Sequence, residues 1–324
     1  STSGITYAQI SGGSVFLQGC FIELAISDCG VYGTSVTPPD GPFGDYHEIN
    51  FNGLGFVADH EKDGWDDATG PGEPVFCGDY FAPGSPEEGW AIQVGSDIWE
   101  NHAIGCQGYG FGFGPDIDGS VTGYFELSGG IKQAVWEGEI SDGDVNLNIV
   151  QTTSMRNAGL YFLTAVELCN TGDSDITDLY YTRNVDPDQD VDWCGPYTTT
   201  NDIIYNFPGD DTSLVTAEGS SCGCFLGIGA LDSRSRVSHG NFFISPATPE
   251  QAWNGTGGYS SSGSQFCDCA IQITFKIDIP AGTCDTIYFA HVLDPSDLQE
   301  ALLATQTGGI TQVTADGTDI SPEN

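Results

Sequence analysis

The sequence has 324 residues, with 46 acidic residues against seven lysines and arginines, which gives a net charge of −39. Seven basic residues are too few to neutralise phosphate groups. Nucleic acid and anionic membranes are therefore excluded as partners. A hydrophobic content of 39% and an aromatic content of 11% exclude a disordered chain. The charge either serves solubility or is screened by a saline habitat, by bound divalent cations or by both.

The chain is long enough for one large domain. We predict an N-terminal arm over residues 1–12, a single domain over residues 13–305 and a linker-like tail over residues 306–324. The segment Ser1–Ile10 alternates in character and could act as a donor strand for another copy of the chain. No apolar run is long enough for a transmembrane span, so a transmembrane protein is not expected. The start without methionine is typical of a mature N-terminus after removal of a signal peptide.

The middle of the chain reads as a series of strands separated by turn-forming residues. Leu160 to Cys169 alternates between faces, and Ile176 to Val185 follows after a six-residue turn cluster, which predicts a β-hairpin. Three further strands precede this hairpin and complete an antiparallel meander: Val121–Leu127, Ile131–Glu137 and Val145–Thr152. One helix is predicted, with Asp294 as its N-cap and Pro295 as its first residue.

This pattern predicts an all-β protein: a large antiparallel two-sheet sandwich with long acidic loops and one short C-terminal helix. The long meander favours a supersandwich like that of sugar-mutarotase-type domains, by analogy alone.

Eleven cysteines indicate an oxidising compartment, so we expect a secreted, extracellular or cell-surface protein. Cys20 and Cys29 are close enough to close a local loop by a disulfide. Cys222/Cys224 and Cys267/Cys269 form two C-x-C pairs on predicted strands, where both sulfurs of a pair share one face. Four thiolates could bind zinc, but disulfides are the expected state. Because the count is odd, at least one cysteine is free or pairs outside the chain.

Two acidic segments are candidate Ca²⁺ sites, because hard cations need clustered carboxylate oxygens. In the first, alternate oxygen ligands precede a glycine at Gly64, as in the start of a calcium loop. Its candidate ligands are Asp59, Glu61, Asp63 and Asp67. The second segment follows the predicted hairpin, and its candidate ligands are Asp186, Asp188, Asp190 and Asp192. The alternative for both is a solvated acidic loop.

Basic residues are rare enough to be informative. Arg234, Arg236 and His239 lie close together in the sequence and could form an anion or sugar site. The alternative is that each arginine pairs with a carboxylate, because guanidinium groups make bidentate contacts that hold geometry.

Catalytic motifs are lacking, since no G-x-S-x-G, H-E-x-x-H or P-loop pattern occurs. Some carboxylate pair would lie at glycosidase spacing in any chain this acidic, so carboxylates alone do not indicate an enzyme. The six tryptophans could stack on sugar rings or belong to the core.

Several segments together resemble a known family. They are Gly55–Trp65, Gly78–Trp90, Val166–Gly172, Tyr181–Asp188 and Leu226–Gly229. They are similar to the N-terminal region of large secreted cell-surface proteins of Bacteroidota, which are exported by type IX secretion and described as gliding-motility-associated or adhesin-like. The resemblance implies an extracellular location and a binding or filament role.

We therefore expect an extracellular structural or adhesive module, not an enzyme, that is stabilised by Ca²⁺ and disulfides and self-assembles into a homo-oligomer or fibre. The alternative is a carbohydrate-binding module or glycan-active enzyme whose partners are surface glycans. Exposed tryptophans around an arginine or a carboxylate pair would favour the alternative.

Overall fold

The computed structural model describes residues 7–39, 46–47, 52–62, 64–65, 76–106, 116–206, 208–209, 211–242, 248–310, 312–313 and 319–320. Strands predominate within these residues. In chain order they are β1 (Tyr7–Ser11), β2 (Ser14–Gln18), β3 (Ile22–Ile26), β4 (Phe56–Ala58), β5 (Glu88–Val94), β6 (Asp97–His102), β7 (Asp118–Leu127), β8 (Ile131–Asp142), β9 (Val145–Arg156), β10 (Tyr161–Asn170), β11 (Ile176–Val185), β12 (Thr199–Tyr205), β13 (Ser213–Gly219), β14 (Phe225–Ala230), β15 (Ser235–Gly240), β16 (Ser264–Cys267), β17 (Ala270–Ile279), β18 (Cys284–Val292), β19 (Gln312–Val313) and β20 (Asp319–Ile320).

Helical segments are short. They are α1 (Ala103–Cys106), α2 (Val191–Cys194), α3 (Pro249–Asn254) and α4 (Leu298–Thr307), and α4 is preceded by a 3₁₀ turn over Pro295–Asp297. The predicted N-cap is correct, because Asp294 Oδ1 accepts a hydrogen bond from the amide of Ser296 at 2.7 Å. No helix among the described residues has the length and apolar character needed to cross a bilayer.

Three antiparallel sheets build the protein. The largest has nine strands in the order β16-β12-β13-β14-β18-β10-β9-β8-β7, and the second has five in the order β15-β17-β11-β5-β6. A third sheet has the order β1-β2-β3-β4, and β19 pairs with β20. The all-β antiparallel sandwich with a short C-terminal helix is therefore confirmed, as is the meander from β7 to β10.

The predicted hairpin is wrong. β10 pairs with β9 and β18 in the nine-stranded sheet, whereas β11 pairs with β5 and β17 in the five-stranded sheet. The turn between them therefore crosses from one sheet to another. An alternating pattern identifies a segment as a strand, but it does not identify the strands with which that segment pairs.

The core lies between the sheets. In β17 the apolar residues recur at every second position, and Ile271, Ile273 and Phe275 are buried. Across the core, the indole rings of Trp90 and Trp136 meet edge to face with centroids 5.3 Å apart. A smaller cluster on the opposite face of the nine-stranded sheet packs α4 against β10 and β18. Among the described residues, one face of this sheet therefore packs into the core, and the other face packs against α4.

Both predicted termini need correction within the described residues. β1 belongs to the predicted arm, but it pairs with β2 along its full length. At the other end α4 continues to Thr307, and Ile310 is buried against the α4 cluster. Residues 306–310 are thus part of the folded domain and not of a linker.

Candidate functional site

The loop after β11 brings two buried carboxylates together with a third from a distant part of the chain. Carboxylate oxygens of Asp186, Asp188 and Asp268 all lie within 4.8 Å of one another. The backbone fixes the loop, because the amide of Asp186 donates to the carbonyl of Glu87 at 2.9 Å and that of Asp188 to the carbonyl of Tyr80 at 2.7 Å. Three carboxylates at this separation are suited to coordinate a hard cation.

The electrostatics of this cluster disfavour three negative charges. Burial raises the pKa of Asp186, and the charges of Glu87 and Asp268 raise it further. Burial is also the largest cause of the raised pKa of Asp188, followed by the charge of Asp186. Partial burial of its carboxyl group raises the pKa of Asp268. A bound cation would reverse these shifts by stabilising the ionised carboxylates.

The other two members of the predicted quartet lie elsewhere. Asp190 Oδ2 accepts hydrogen bonds from the amides of Ser221 and Cys222 at 2.7 and 2.9 Å. Asp192 Oδ2 accepts one from the amide of Asp79 at 2.9 Å. The loop turns into α2 at this point, so alternate carboxylates no longer share a face. Asp190 and Asp192 therefore fix the backbone, and Asp268 takes their place in the cluster.

The first predicted calcium loop is described only in part. Asp59 is buried, and its Oδ2 accepts a hydrogen bond from the amide of Gly64 at 3.0 Å. Glu61 is exposed, whereas Asp63 and Asp67 lie outside the described residues. Calcium binding by this loop stays a prediction.

The three residues of the predicted anion site, Arg234, Arg236 and His239, make separate contacts. Arg234 binds the carboxylates of Asp232 and Asp285 at 2.7 and 2.6 Å. Arg236 instead stacks its guanidinium carbon 4.5 Å from the centre of the Trp253 ring. His239 is buried, and burial lowers its pKa, which favours the neutral form. The alternative of structural pairing is correct for Arg234.

All eleven cysteines lie among the described residues. Ten form disulfides: Cys29–Cys106, Cys77–Cys224, Cys169–Cys284, Cys194–Cys222 and Cys267–Cys269. The prediction of disulfides in place of zinc is therefore confirmed for both C-x-C pairs. The predicted local pairing of Cys20 with Cys29 is wrong, because Cys29 bonds to Cys106 and Cys20 remains a free thiol. Proximity in sequence therefore did not decide the partner of Cys29, which bonds to a cysteine 77 residues away.

A groove on the outer face of the nine-stranded sheet is the site that sequence reasoning missed. It encloses about 370 Å³ between strands β7 to β10 and the segment after α4. Its eleven lining residues are Leu127, Ser128, Ile131, Gln133, Thr152, Ser154, Leu163, Ala165, Gly308, Gly309 and Ile310. We call this site the sheet groove. Its strand residues alternate with core residues, so outward-facing Gln133, Thr152 and Ser154 were its only sequence signal.

Strand register gives the sheet groove its shape. Gln133 lies opposite Ser154, which lies opposite Leu163 on the next strand. Gln133 Nε2 donates a hydrogen bond to Ser154 Oγ at 3.0 Å. Phe125 lies opposite Gln133 and is 48% exposed, so an aromatic ring borders the polar row. The groove thus offers apolar surface and hydrogen-bonding groups side by side.

Charge distinguishes the sheet groove from another cavity of the described residues. None of its lining residues is charged and none is a tryptophan, so it lacks the tryptophans and the arginine or carboxylate pair that the sequence led us to expect of a glycan site. A second cavity, of about 330 Å³ beside Trp99, shows the opposite character, because four of its seven lining residues are carboxylates. The sheet groove is therefore suited to a neutral ligand.

The sequence matches no protein-family model and no curated protein. Among solved structures, it is similar to a heparan sulfate lyase from Pedobacter heparinus at 8% identity and a TM-score of 0.42, over 89% of this chain and 36% of the lyase. It is similar to a galactose mutarotase related enzyme from Lactobacillus acidophilus at 8% identity and a TM-score of 0.37, over 89% of this chain and 97% of that one. A TPR-domain containing protein from Parabacteroides distasonis matches at 10% identity and a TM-score of 0.41, over 90% and 50% of the two chains.

The expectation that the chain is not an enzyme is withdrawn, since the similar structures include a heparan sulfate lyase and a galactose mutarotase related enzyme. A missing linear motif does not exclude catalysis, since side chains from separate strands can form a site. Because these TM-scores are below 0.5, the comparison does not indicate what this chain does. Only the geometry of its own residues bears on its function.

Proposed function

We propose that this protein is an extracellular carbohydrate-handling domain that binds a neutral sugar in the sheet groove. The observation that carries the proposal is the uncharged lining of this groove in a chain with a net charge of −39. The five disulfides support an oxidising, extracellular location.

The size and lining of the groove suit a sugar. Ligand pockets typically enclose about 300–1,000 Å³ and combine apolar walls with a few placed polar groups. A sugar ring presents C–H groups on its faces, which would contact Leu163 and Ala165. Its hydroxyls both donate and accept, as do the amide of Gln133 and the hydroxyls of Thr152 and Ser154.

Sugar binding replaces the adhesive fibre as the leading function. The predicted donor strand gives no support to a fibre, since β1 already pairs with β2 in its own chain. A strand that is already paired along one edge within its own sheet has fewer free backbone groups that could hydrogen-bond to a second copy of the chain.

Binding can be tested by screening the protein against neutral and acidic glycans and measuring the affinity of any neutral ligand by calorimetry. Ala165→Phe would fill the groove and should abolish binding. Gln133→Ala should weaken binding by up to about tenfold, the equivalent of one lost hydrogen bond. Gln299→Ala is the matched control, because Gln299 is exposed on α4 and does not line the groove.

The far-UV circular dichroism of each variant should match that of the wild type, so that a loss of affinity reports on the groove. Neutral-glycan binding that survives Ala165→Phe would place the ligand elsewhere and refute the proposal. A preference for acidic over neutral glycans would also refute it.

A further inference from the structure

We infer that Asp186, Asp188 and Asp268 form a Ca²⁺ site that ties the loop after β11 to the turn between β16 and β17. The three carboxylates come from two segments about eighty residues apart in sequence, and their oxygens lie within 4.8 Å of one another. The inference is independent of sugar binding, because none of the three residues lines the sheet groove.

Two buried oxygens in this cluster are unpartnered. Asp186 and Asp188 are 8% and 2% exposed, and Oδ1 of each accepts no hydrogen bond from any described residue. Buried polar atoms in folded proteins are almost always hydrogen-bonded or bound to an ion, because an unsatisfied one forfeits its solvation. Oxygens of two buried carboxylates that lack donors and lie beside a third carboxylate are suited to coordinate a metal.

Charge compensation is missing from the surroundings of the cluster. The ionisable groups that influence Asp188 are Asp186, Asp268, Asp192 and Glu87, and all of them are acidic. The salt bridges of the described residues leave this cluster without a lysine or arginine. A divalent cation would supply the positive charge that the chain itself does not.

The chemistry of the ligands indicates Ca²⁺. Carboxylate oxygens suit hard cations, and Ca²⁺ binds oxygens at about 2.4 Å. Two oxygens on opposite sides of one such ion would lie about 4.8 Å apart, and the oxygens of these three groups lie no farther apart than that. Asp268 is exposed while its partners are buried, so water and the ion can reach the site from this side. Ca²⁺ accepts this mixture of carboxylates and water better than Mg²⁺, which requires a near-ideal octahedron.

The fold holds the ligands in place. Backbone hydrogen bonds anchor Asp186 and Asp188, as described above. Asp268 lies between Cys267 and Cys269, which are joined by a disulfide. The ring that this disulfide closes restricts the backbone on both sides of Asp268. Sequence reasoning treated this C-x-C pair as a cysteine motif and did not connect its central residue with the acidic loop.

The test is calorimetric titration of CaCl₂ into the EDTA-treated, dialysed full chain in 0.15 M NaCl at pH 7.5. The wild type should show a saturable site, and Asp268→Asn should weaken it at least tenfold. This variant should fold, because Asp268 is exposed. Asp144→Asn is the matched control, since Asp144 is an exposed aspartate in the turn between β8 and β9, and its Ca²⁺ affinity should equal that of the wild type. The melting temperature of the wild type should rise with CaCl₂ and that of Asp268→Asn should rise less.

Three results would overturn the inference. One is the absence of a saturable Ca²⁺ isotherm in the wild type. Another is equal Ca²⁺ affinity of Asp268→Asn and Asp144→Asn, which would show that the bound ion lies on other carboxylates. The third is an affinity for Mg²⁺ equal to that for Ca²⁺, because it would indicate diffuse counterion binding. Glycan binding by Asp268→Asn reports separately on the sheet groove.

Discussion

Replacing Glu88 with alanine should destabilise the folded protein by about 3–5 kcal/mol, because it leaves a buried guanidinium without its countercharge. The side chains of Arg183 and Glu88 are both fully buried, and Nε of the arginine donates to Oε1 of the glutamate. The same arginine donates from Nη1 to the carbonyl of Gly30 and to Gln151 Oε1, both at 3.1 Å. These two neutral acceptors hold its position but cannot balance its charge.

The carboxylate of Glu88 has a second structural role. Its Oε2 accepts a hydrogen bond from the amide of Tyr32 at 2.6 Å. The Tyr32 ring in turn lies 4.0 Å from the guanidinium carbon of Arg183, a cation–π contact. Burial raises the pKa of Glu88 to about 7, although the charge of Arg183 lowers it. The measurement should therefore be made at pH 8, where the carboxylate is ionised. Glu88→Gln should be less destabilising than Glu88→Ala, because the amide oxygen can still accept a hydrogen bond.

The assay is equilibrium unfolding in guanidinium chloride, followed by tryptophan fluorescence with the disulfides intact. Asp285→Ala is the matched control, because it breaks an arginine–carboxylate pair in which both side chains are about one-third exposed. Its cost should be below about 1 kcal/mol, since solvent screens exposed pairs. If Glu88→Ala and Asp285→Ala lowered the free energy of unfolding equally, burial would not control the strength of these pairs and the reasoning would fail.

Two further predictions concern pH and thiols. Burial raises the pKa of Asp79 to about 7 and, as for Glu88, the folded state keeps a proton that the unfolded state has released. The stability that these protonated carboxyl groups contribute is complete below about pH 4 and is lost as pH rises through 7. The melting temperature in EDTA should therefore be higher at pH 5 than at pH 7.5. A melting temperature that rose from pH 5 to pH 7.5 would contradict the assignment. Thiol titration of the unfolded, unreduced protein should find one thiol per chain, and Cys20→Ser should remove it. In the folded protein the Cys20 thiol should react slowly, because burial raises its pKa. A count of four or more free thiols after unfolding would refute the disulfide assignment.

The sequence by itself determined the local elements of this protein. Period-two alternation predicted the strands of the meander from β7 to β10, and these strands pair in chain order because their connections are short turns. Asp294 and Pro295 likewise predicted the start of the C-terminal helical segment, because capping acts between residues two or three apart. Composition predicted disulfides, since the cysteine count depends on the compartment and not on the fold.

Tertiary structure alone decided which residues meet. Strands β10 and β11 are neighbours in sequence but belong to different sheets, because each finds partners that its own alternation cannot specify. Asp268 joins Asp186 and Asp188 although about eighty residues separate them, while Asp190 and Asp192 leave the cluster as the chain turns into α2. The sheet groove has the same origin, since Gln133, Ser154 and Leu163 become one row only through register across three strands. A linear sequence records local periodicity, whereas a site is formed by pairings between distant segments that only the packed core selects.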